Sequence, residues 1–159
     1  MVILSNPLLF LSHFLKSERK WLFDFHILIP RVFPNAPVKP VTANMGMKMP
    51  SWYDIYSFEK LANSKQDEDG LLKSVHYLHS MITKEVDAGI PANRVVIGGF
   101  SQGSCVSLVA GLTSERTLAA VVGLSGPMML RNKIKSMQTE ANKKVRFFLA
   151  YGKEDPLVK

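Results

Sequence analysis

The sequence contains one cysteine, Cys105, among its 159 residues. A single cysteine excludes a disulfide within the chain, and this fits a reducing compartment. We expect Cys105 to be a buried packing residue, since unpaired cysteines behave as small apolar side chains.

Long apolar runs are also lacking. No stretch reaches about 18 apolar residues, the length that predicts a membrane-spanning helix. Residues 1–15 are apolar but interrupted by polar residues, and the basic residues follow this run rather than precede it as in a secretory signal. We interpret residues 1–25 as a separate N-terminal segment, either a helix lying on the domain or a signal anchor.

The formal net charge is +7, yet the basic residues are scattered and no nucleic-acid-binding motif accompanies them. We therefore expect no nucleic-acid partner. The charge predicts either a solvated basic surface or one that makes transient contact with anionic membranes. His76 and His79 have a spacing that metal ligands use, but no cysteine or carboxylate partner is evident, so we expect ordinary histidines and no metal.

The most informative feature present is the motif Gly-Phe-Ser-Gln-Gly at residues 99–103. A β-branched run at residues 94–98 predicts a buried strand before it, and small and apolar residues at 104–112 predict a helix after it. A strand, a sharp turn and a helix around G-x-S-x-G form a nucleophile elbow, which lifts the Ser101 hydroxyl above the edge of the sheet. The other interpretation is a glycine-rich turn without a catalytic role.

Strands and helices alternate along the rest of the chain. Apolar segments predict further strands at residues 25–33, 118–125 and 145–152, and three- and four-residue apolar spacing predicts a helix over 67–88. This order predicts an α/β fold with a mostly parallel sheet flanked by helices. Residues 34–70 predict a long loop, either a functional one or one whose methionines fill the core.

Asp155 is the candidate for a second catalytic residue, because it follows the predicted strand at 145–152. In α/β-hydrolases the catalytic residues follow the chain order Ser, then Asp or Glu, then His. The other interpretation of Asp155 is a turn residue before a proline. No histidine follows it, so a substitute base would have to converge on Ser101 in space from one of four earlier positions: His13, His26, His76 and His79.

Several segments together resemble the acyl-protein thioesterases of the phospholipase/carboxylesterase family of serine hydrolases. They extend over about residues 26–158 and comprise residues 33–42, 44–54, 66–68, 89–91, 93–94, 98–103, 124–126 and 155–158. The resemblance implies an incomplete α/β-hydrolase domain at residues 26–159, shortened at both ends. It further implies a cytoplasmic, and also nuclear, enzyme without metal or organic cofactor that hydrolyses S-palmitoyl thioesters on proteins, related carboxylesters or lysophospholipids.

The resemblance also implies roles for individual residues. Ser101 matches the nucleophile, Asp155 matches the acid of the triad, and Gln102 matches the residue whose backbone N–H forms half of the oxyanion hole. The loop beside the acyl channel is matched by Met49, Pro50 and Trp52.

Two parts of the family pattern have no counterpart here. The His-Gly-Leu-Gly-Asp loop, which supplies the second oxyanion donor, is not found in residues 1–25, and the family histidine lies beyond the acid. We expect S-acylated proteins and fatty acyl esters as partners, with very slow turnover or none. The alternative is a non-catalytic remnant that binds acyl chains or proteins. The sequence indicates no oligomeric state.

Overall fold

The computed structural model describes residues 2–5, 30–58 and 65–155. Its strands are β1 (Val2–Ser5), β2 (Arg31–Val32), β3 (Val38–Val41), β4 (Met47–Pro50), β5 (Val95–Phe100), β6 (Ala120–Leu124) and β7 (Arg146–Ala150). Its helices are α1 (Glu68–Asp87), α2 (Gln102–Thr113) and α3 (Arg131–Met137), with 3₁₀ turns at Thr42–Asn44, Ala92–Arg94 and Glu140–Asn142.

Five strands form one sheet in the order β2-β1-β5-β6-β7, and β3 and β4 form a separate hairpin. The strands β5, β6 and β7 run parallel, whereas β1 pairs antiparallel with both β5 and β2. The carboxyl ends of β5, β6 and β7 therefore meet at one edge of the sheet, where ligands of α/β proteins bind. This arrangement confirms the predicted α/β-hydrolase fold class.

The helix α1 is amphipathic, and its buried stripe is the one that the apolar spacing predicts. Leu71, Val75, Leu78 and Ile82 on this face are each at most 2% exposed. Asp67 precedes the helix and accepts a hydrogen bond from the backbone N–H of Gly70 at 3.0 Å, which caps the first turn. No described helix has both the length and the apolar character needed to cross a membrane.

The core lies where α2 packs between α1 and the sheet. Val106 and Val109 of α2 are fully buried, as are Val95 and Ile97 of β5. The helix has no polar face because it contacts α1 on one side and β5 and β6 on the other. Its small residues permit this close packing: a Cβ on Gly111 would overlap the side chain of Val121.

The structure corrects two predictions in the first part of the chain. Residues 34–70 are not one long loop, because they contain β3, β4 and the start of α1. The hairpin contains Pro40 and Pro50, which favour a loop when the sequence alone is considered. Proline is nevertheless tolerated in strands that lie at the edge of a sheet. The helix interpretation of residues 1–25 is wrong for Val2–Ser5, which forms a strand beside β5.

The other predicted elements occur within a few residues of their expected positions. Of the strand expected at residues 25–33, the described part pairs only at Arg31–Val32, and residues 25–29 lie outside the described part. Residues 6–25 also lie outside it. The domain division after residue 25 stays a prediction.

Candidate active site

Ser101 lies in a strained turn between β5 and α2. Its backbone φ of +52° and ψ of −118° are sparsely populated for a residue with a side chain. Two backbone bonds hold this conformation, because the Ser101 N–H donates to the Leu124 carbonyl at 2.9 Å and the Ser101 carbonyl accepts from the Cys105 N–H at 3.1 Å. The residue is exposed at the sheet edge. This is the geometry of a nucleophile elbow.

Gly99 of the motif and Gly126 after β6 are explained by the close approach of backbones around this turn. A Cβ on Gly99 would overlap the backbone of Gly103, and a Cβ on Gly126 would lie 2.5 Å from the carbonyl oxygen of Ser101. The strand and the helix therefore meet at a separation that only glycine permits.

Asp155 faces the same cavity as Ser101 from the turn after β7. Its backbone N–H donates to the Gly152 carbonyl at 3.0 Å. Asp155 follows β7, whereas Ser101 follows β5. Because β6 lies between these two strands, the strand that precedes Asp155 is not adjacent to the strand that precedes Ser101. The cavity is lined by Tyr53, Ile55, Phe100, Ser101, Gln102, Cys105, Ser125, Pro127, Met129 and Asp155. The structure thus brings together three of the predicted site residues.

The other three predicted site residues do not line this cavity. Met49 and Pro50 lie on the exposed strand β4, while Trp52 is buried and stacks on Tyr77 with ring centroids 6.1 Å apart. Their role in substrate binding stays a prediction.

The wall of the cavity contains apolar residues to which sequence reasoning gave no role: Tyr53, Ile55, Pro127 and Met129. Tyr53 directly follows Trp52 in the segment that carried the family resemblance, so position in the motif was a usable signal for it. Met129 lies outside the segments that carry the family resemblance, and no sequence pattern points to it.

Gln102 is the first residue of α2, so its backbone N–H belongs to the first turn and has no acceptor within the helix. Helix N-termini favour negative charge, and an oxyanion formed at the adjacent Ser101 would be stabilised there. Its assignment to the oxyanion hole stays a prediction.

Cys105 and Tyr53 meet in the floor of the cavity, and both are neutral near pH 7. Burial raises the pKa of the Cys105 thiol to about 11, and it also raises the pKa of the Tyr53 hydroxyl. Cys105 is 2% exposed, which confirms the prediction that it is buried. A neutral, buried thiol is a poor nucleophile, so Ser101 is the better candidate for attack on an acyl group.

Neither described histidine approaches Ser101. The ring Nε2 of His79 lies 2.9 Å from the Ala110 carbonyl, and burial lowers the pKa of this imidazole. His76 is exposed on α1, whereas His13 and His26 lie outside the described residues. Within residues 30–58 and 65–155 there is no cluster of three or more histidine, cysteine or carboxylate side chains that would hold a metal.

The fold and the elbow define the class of serine α/β-hydrolases, and comparison with known proteins gives the family. The phospholipase/carboxylesterase family profile matches residues 24–159, so the chain belongs to this family. It is 50% identical over 127 residues to acyl-protein thioesterase 1 of Schizosaccharomyces pombe, covering 80% of this chain and 56% of that protein. It is 47% identical over 128 residues to acyl-protein thioesterase 1 of Yarrowia lipolytica, with the same coverage.

Solved structures share the fold. The crystal structure of Arabidopsis thaliana SOBER1 matches with a TM-score of 0.75 and 34% identity, covering 80% of this chain and 60% of that one. Zea mays acyl-protein thioesterase 2 shares the fold with a TM-score of 0.69 and 19% identity, covering 89% and 69%. The chain spans little more than half the length of the curated relatives it matches.

Proposed function

We propose that this chain carries the nucleophile of a serine hydrolase that acts on S-palmitoyl and related fatty acyl groups of proteins. One observation carries the proposal: Ser101 lies in a strained elbow and lines a cavity whose wall includes Ile55, Phe100 and Met129. An apolar wall beside a nucleophile suits a fatty acyl chain. The relatives named acyl-protein thioesterase support the substrate class.

In this proposal the Ser101 hydroxyl oxygen attacks the acyl carbonyl carbon and gives its proton to a base. The Gln102 backbone N–H stabilises the oxyanion, and Asp155 orients the base. The thioester carbon–sulfur bond then breaks, and the sulfur takes the proton from the base and leaves as a thiol. Water hydrolyses the acyl-serine ester and releases the fatty acid.

A second candidate function is acyl binding without turnover. It is favoured by one observation, namely that the cavity residues include no histidine in the part of the chain described by the structure. Without a base the Ser101 hydroxyl stays protonated near neutral pH and attacks slowly. In subtilisin, loss of the catalytic histidine alone lowers kcat by about 10⁶. We therefore expect slow turnover or none from this chain by itself.

The test is labelling of the purified chain with a fluorophosphonate, together with a palmitoyl-thioester assay. We expect Ser101→Ala to abolish labelling, and Ser136→Ala, an exposed serine on α3, to leave it unchanged. Added imidazole is expected to accelerate Ser101-dependent labelling if only the base is lacking. Labelling that persists in Ser101→Ala would contradict the assignment of the nucleophile. Binding of a palmitoyl analogue without any labelling would favour the second candidate.

We further propose transient contact with anionic membranes through the β3–β4 hairpin, within a cytoplasmic and nuclear location. Met45 is 91% exposed and Met47 is 58% exposed, and Lys39 and Lys48 lie on the same hairpin. Apolar tips next to basic residues suit an anionic interface. We expect Met45→Ser with Met47→Ser to reduce sedimentation with phosphatidylserine vesicles, and Phe33→Ser, at an exposed apolar residue outside the hairpin, to serve as the control. Equal sedimentation of all three proteins would contradict the contact.

A further inference from the structure

The side chain of Gln102, next to the nucleophile, bonds to three consecutive residues about 50 positions earlier in the chain. Its Oε1 accepts a hydrogen bond from the Trp52 backbone N–H at 3.0 Å. Its Nε2 donates to Ser51 Oγ and to the Tyr53 carbonyl, each at 2.9 Å. The Ser51 hydroxyl in turn donates to the Tyr53 carbonyl at 2.6 Å. One side-chain amide therefore fixes residues 51–53 to the start of α2, and these hydrogen bonds are called the Gln102 clamp below.

The segment held in this way forms one wall of the cavity. Tyr53 and Ile55 line the cavity together with Ser101 and Asp155, and Tyr53 is only 5% exposed. The Trp52 carbonyl also accepts a hydrogen bond from Ser74 Oγ of α1. The wall is thus attached to both helices, and the attachment to α2 passes through the residue that follows Ser101.

We propose that the Gln102 side chain is a positioning residue that sets the distance between the Tyr53–Ile55 wall and Ser101, and so determines the acyl chain length that the cavity accepts. This inference rests on the proposed function, since it assumes that acyl groups bind at this cavity. Loss of the hydrogen bonds made by the Gln102 side chain would leave the Tyr53 carbonyl and the Ser51 hydroxyl with fewer partners. The wall would then shift relative to Ser101. An acyl chain that extends from Ser101 along this wall would make more contacts with it as the chain lengthens, so long chains would lose more affinity than short ones.

The chain offers a matched control in Asn142. Its Oδ1 accepts a hydrogen bond from the Leu118 backbone N–H at 3.0 Å, and its Nδ2 donates to the carbonyls of Ser114 at 2.7 Å and Arg116 at 2.9 Å. This is the same pattern of one accepted and two donated bonds. Asn142 lies before β7 and Leu118 before β6, at the amino ends of these strands, whereas the cavity lies at their carboxyl ends. Asn142→Asp therefore removes the same kind of hydrogen bonds at a place away from the cavity, and it measures the purely structural effect of losing them.

Two variants weaken the Gln102 clamp by different routes. Gln102→Glu keeps the size and an acceptor for the Trp52 N–H, but a carboxylate cannot donate to the Tyr53 carbonyl. Ser51→Ala removes the bridging hydroxyl and leaves Gln102 in place. The second variant keeps the test available if the first disturbs folding, which circular dichroism would show.

The experiment measures the affinity of the full chain for octanoyl and palmitoyl amides, which are not hydrolysed. We expect Gln102→Glu to weaken palmitoyl binding by about tenfold and octanoyl binding by no more than about threefold. Ser51→Ala is expected to change this ratio in the same direction, and Asn142→Asp to leave it unchanged. An unchanged ratio in both clamp variants, or the same change in Asn142→Asp, would overturn the inference while leaving the proposed function intact. Failure of the unsubstituted chain to bind either amide would overturn both.

Discussion

At the scale of single residues, the site depends on positions that tolerate no additional atoms. Ser101 has a left-handed φ, and it is held there by its bonds to Leu124 and Cys105. The strand before it and the helix after it meet at Gly99 without room for a methyl group. The exposure of the nucleophile therefore results from close packing beneath it and not from a flexible loop.

Gly99→Ala tests this packing. We expect it to lower the free energy of unfolding by about 3 kcal/mol or more, because the new Cβ would displace the backbone of Gly103. It should also abolish Ser101-dependent labelling. Urea unfolding measures the first effect. Gly152→Ala is the control, since its Cβ would meet nothing closer than 3.8 Å. Equal stability of the two variants would contradict the close approach.

The buried thiol of Cys105 predicts a pH dependence of stability. Burial raises its pKa in the folded chain from 9.0 to about 11, so the neutral thiol is favoured by folding. The stabilisation is complete below pH 9.0 and is lost as the pH rises towards 11, because the unfolded chain then holds fewer protons than the folded one. The loss is on the order of 2–3 kcal/mol.

Urea unfolding at a series of pH values between 9 and 11 measures this effect. Cys105→Ala removes a buried side chain and is less stable throughout, yet its stability should decline less steeply with pH. Tyr53 contributes a decline in the same direction, because burial also raises its pKa. Parallel pH profiles for the variant and the unsubstituted chain would rule out a contribution from the thiol.

At the scale of elements, the start of α1 is connected to the wall of the cavity through Asp67. One carboxylate oxygen accepts from the Gly70 N–H at 3.0 Å, and the other accepts from the Asp54 N–H at 2.7 Å. Asp54 lies between the two wall residues Tyr53 and Ile55. The helix cap thus stabilises both the helix and the segment that forms the wall.

Asp67→Ala is expected to lower the free energy of unfolding by about 1–2 kcal/mol, since it leaves two backbone N–H groups without their acceptor. Asp69→Ala is the matched control, because Asp69 is exposed and lies in the same first turn. It removes a charge of the same sign near the helix N-terminus. If both variants lost the same stability, the effect would come from charge alone and not from the two hydrogen bonds.

At the scale of the whole molecule, the described part of the sheet ends at an apolar strand. Among the described strands β7 is the last in the order, and β6 is its sole partner there. Phe148 and Leu149 are each 60% exposed, although they lie on opposite faces of the strand. Strands of parallel sheets are usually buried on both faces, so this edge exposes a surface suited to association.

We expect the purified chain to associate as its concentration rises, and Phe148→Lys with Leu149→Lys to reduce this association, because charged side chains hinder edge-to-edge pairing. Sedimentation velocity over a range of concentrations measures the effect. Phe33→Lys, at a residue 64% exposed outside β7, is the control. Association that is unaltered by the β7 substitutions, or weakened as much by the control, would exclude this edge as the contact.

Much of the fold follows from short-range patterns. Three features depend on residues that are near each other in the sequence: the apolar spacing of α1, the G-x-S-x-G turn and the apolar strands β5, β6 and β7. Each of them lies within a few residues of its predicted position. The hairpin β3–β4 was missed because its prolines suggest a loop unless the strands are known to lie at an edge. The strand Val2–Ser5 was missed because its partner β5 is about 90 positions away.

The candidate nucleophile Ser101 could be predicted from the sequence alone, since the turn chemistry and both flanking elements are local. The sequence also indicated Asp155, because this residue follows a predicted strand and comes after Ser101 in the chain, as the acid does in α/β-hydrolases. The surroundings of these two residues, in contrast, depend on the tertiary structure. That Tyr53, Ile55 and Met129 form the wall, and that the Gln102 amide holds residues 51–53, depends on contacts between segments far apart in the chain. Such contacts arise from the packing of completed elements, and no periodicity or motif within one segment records them.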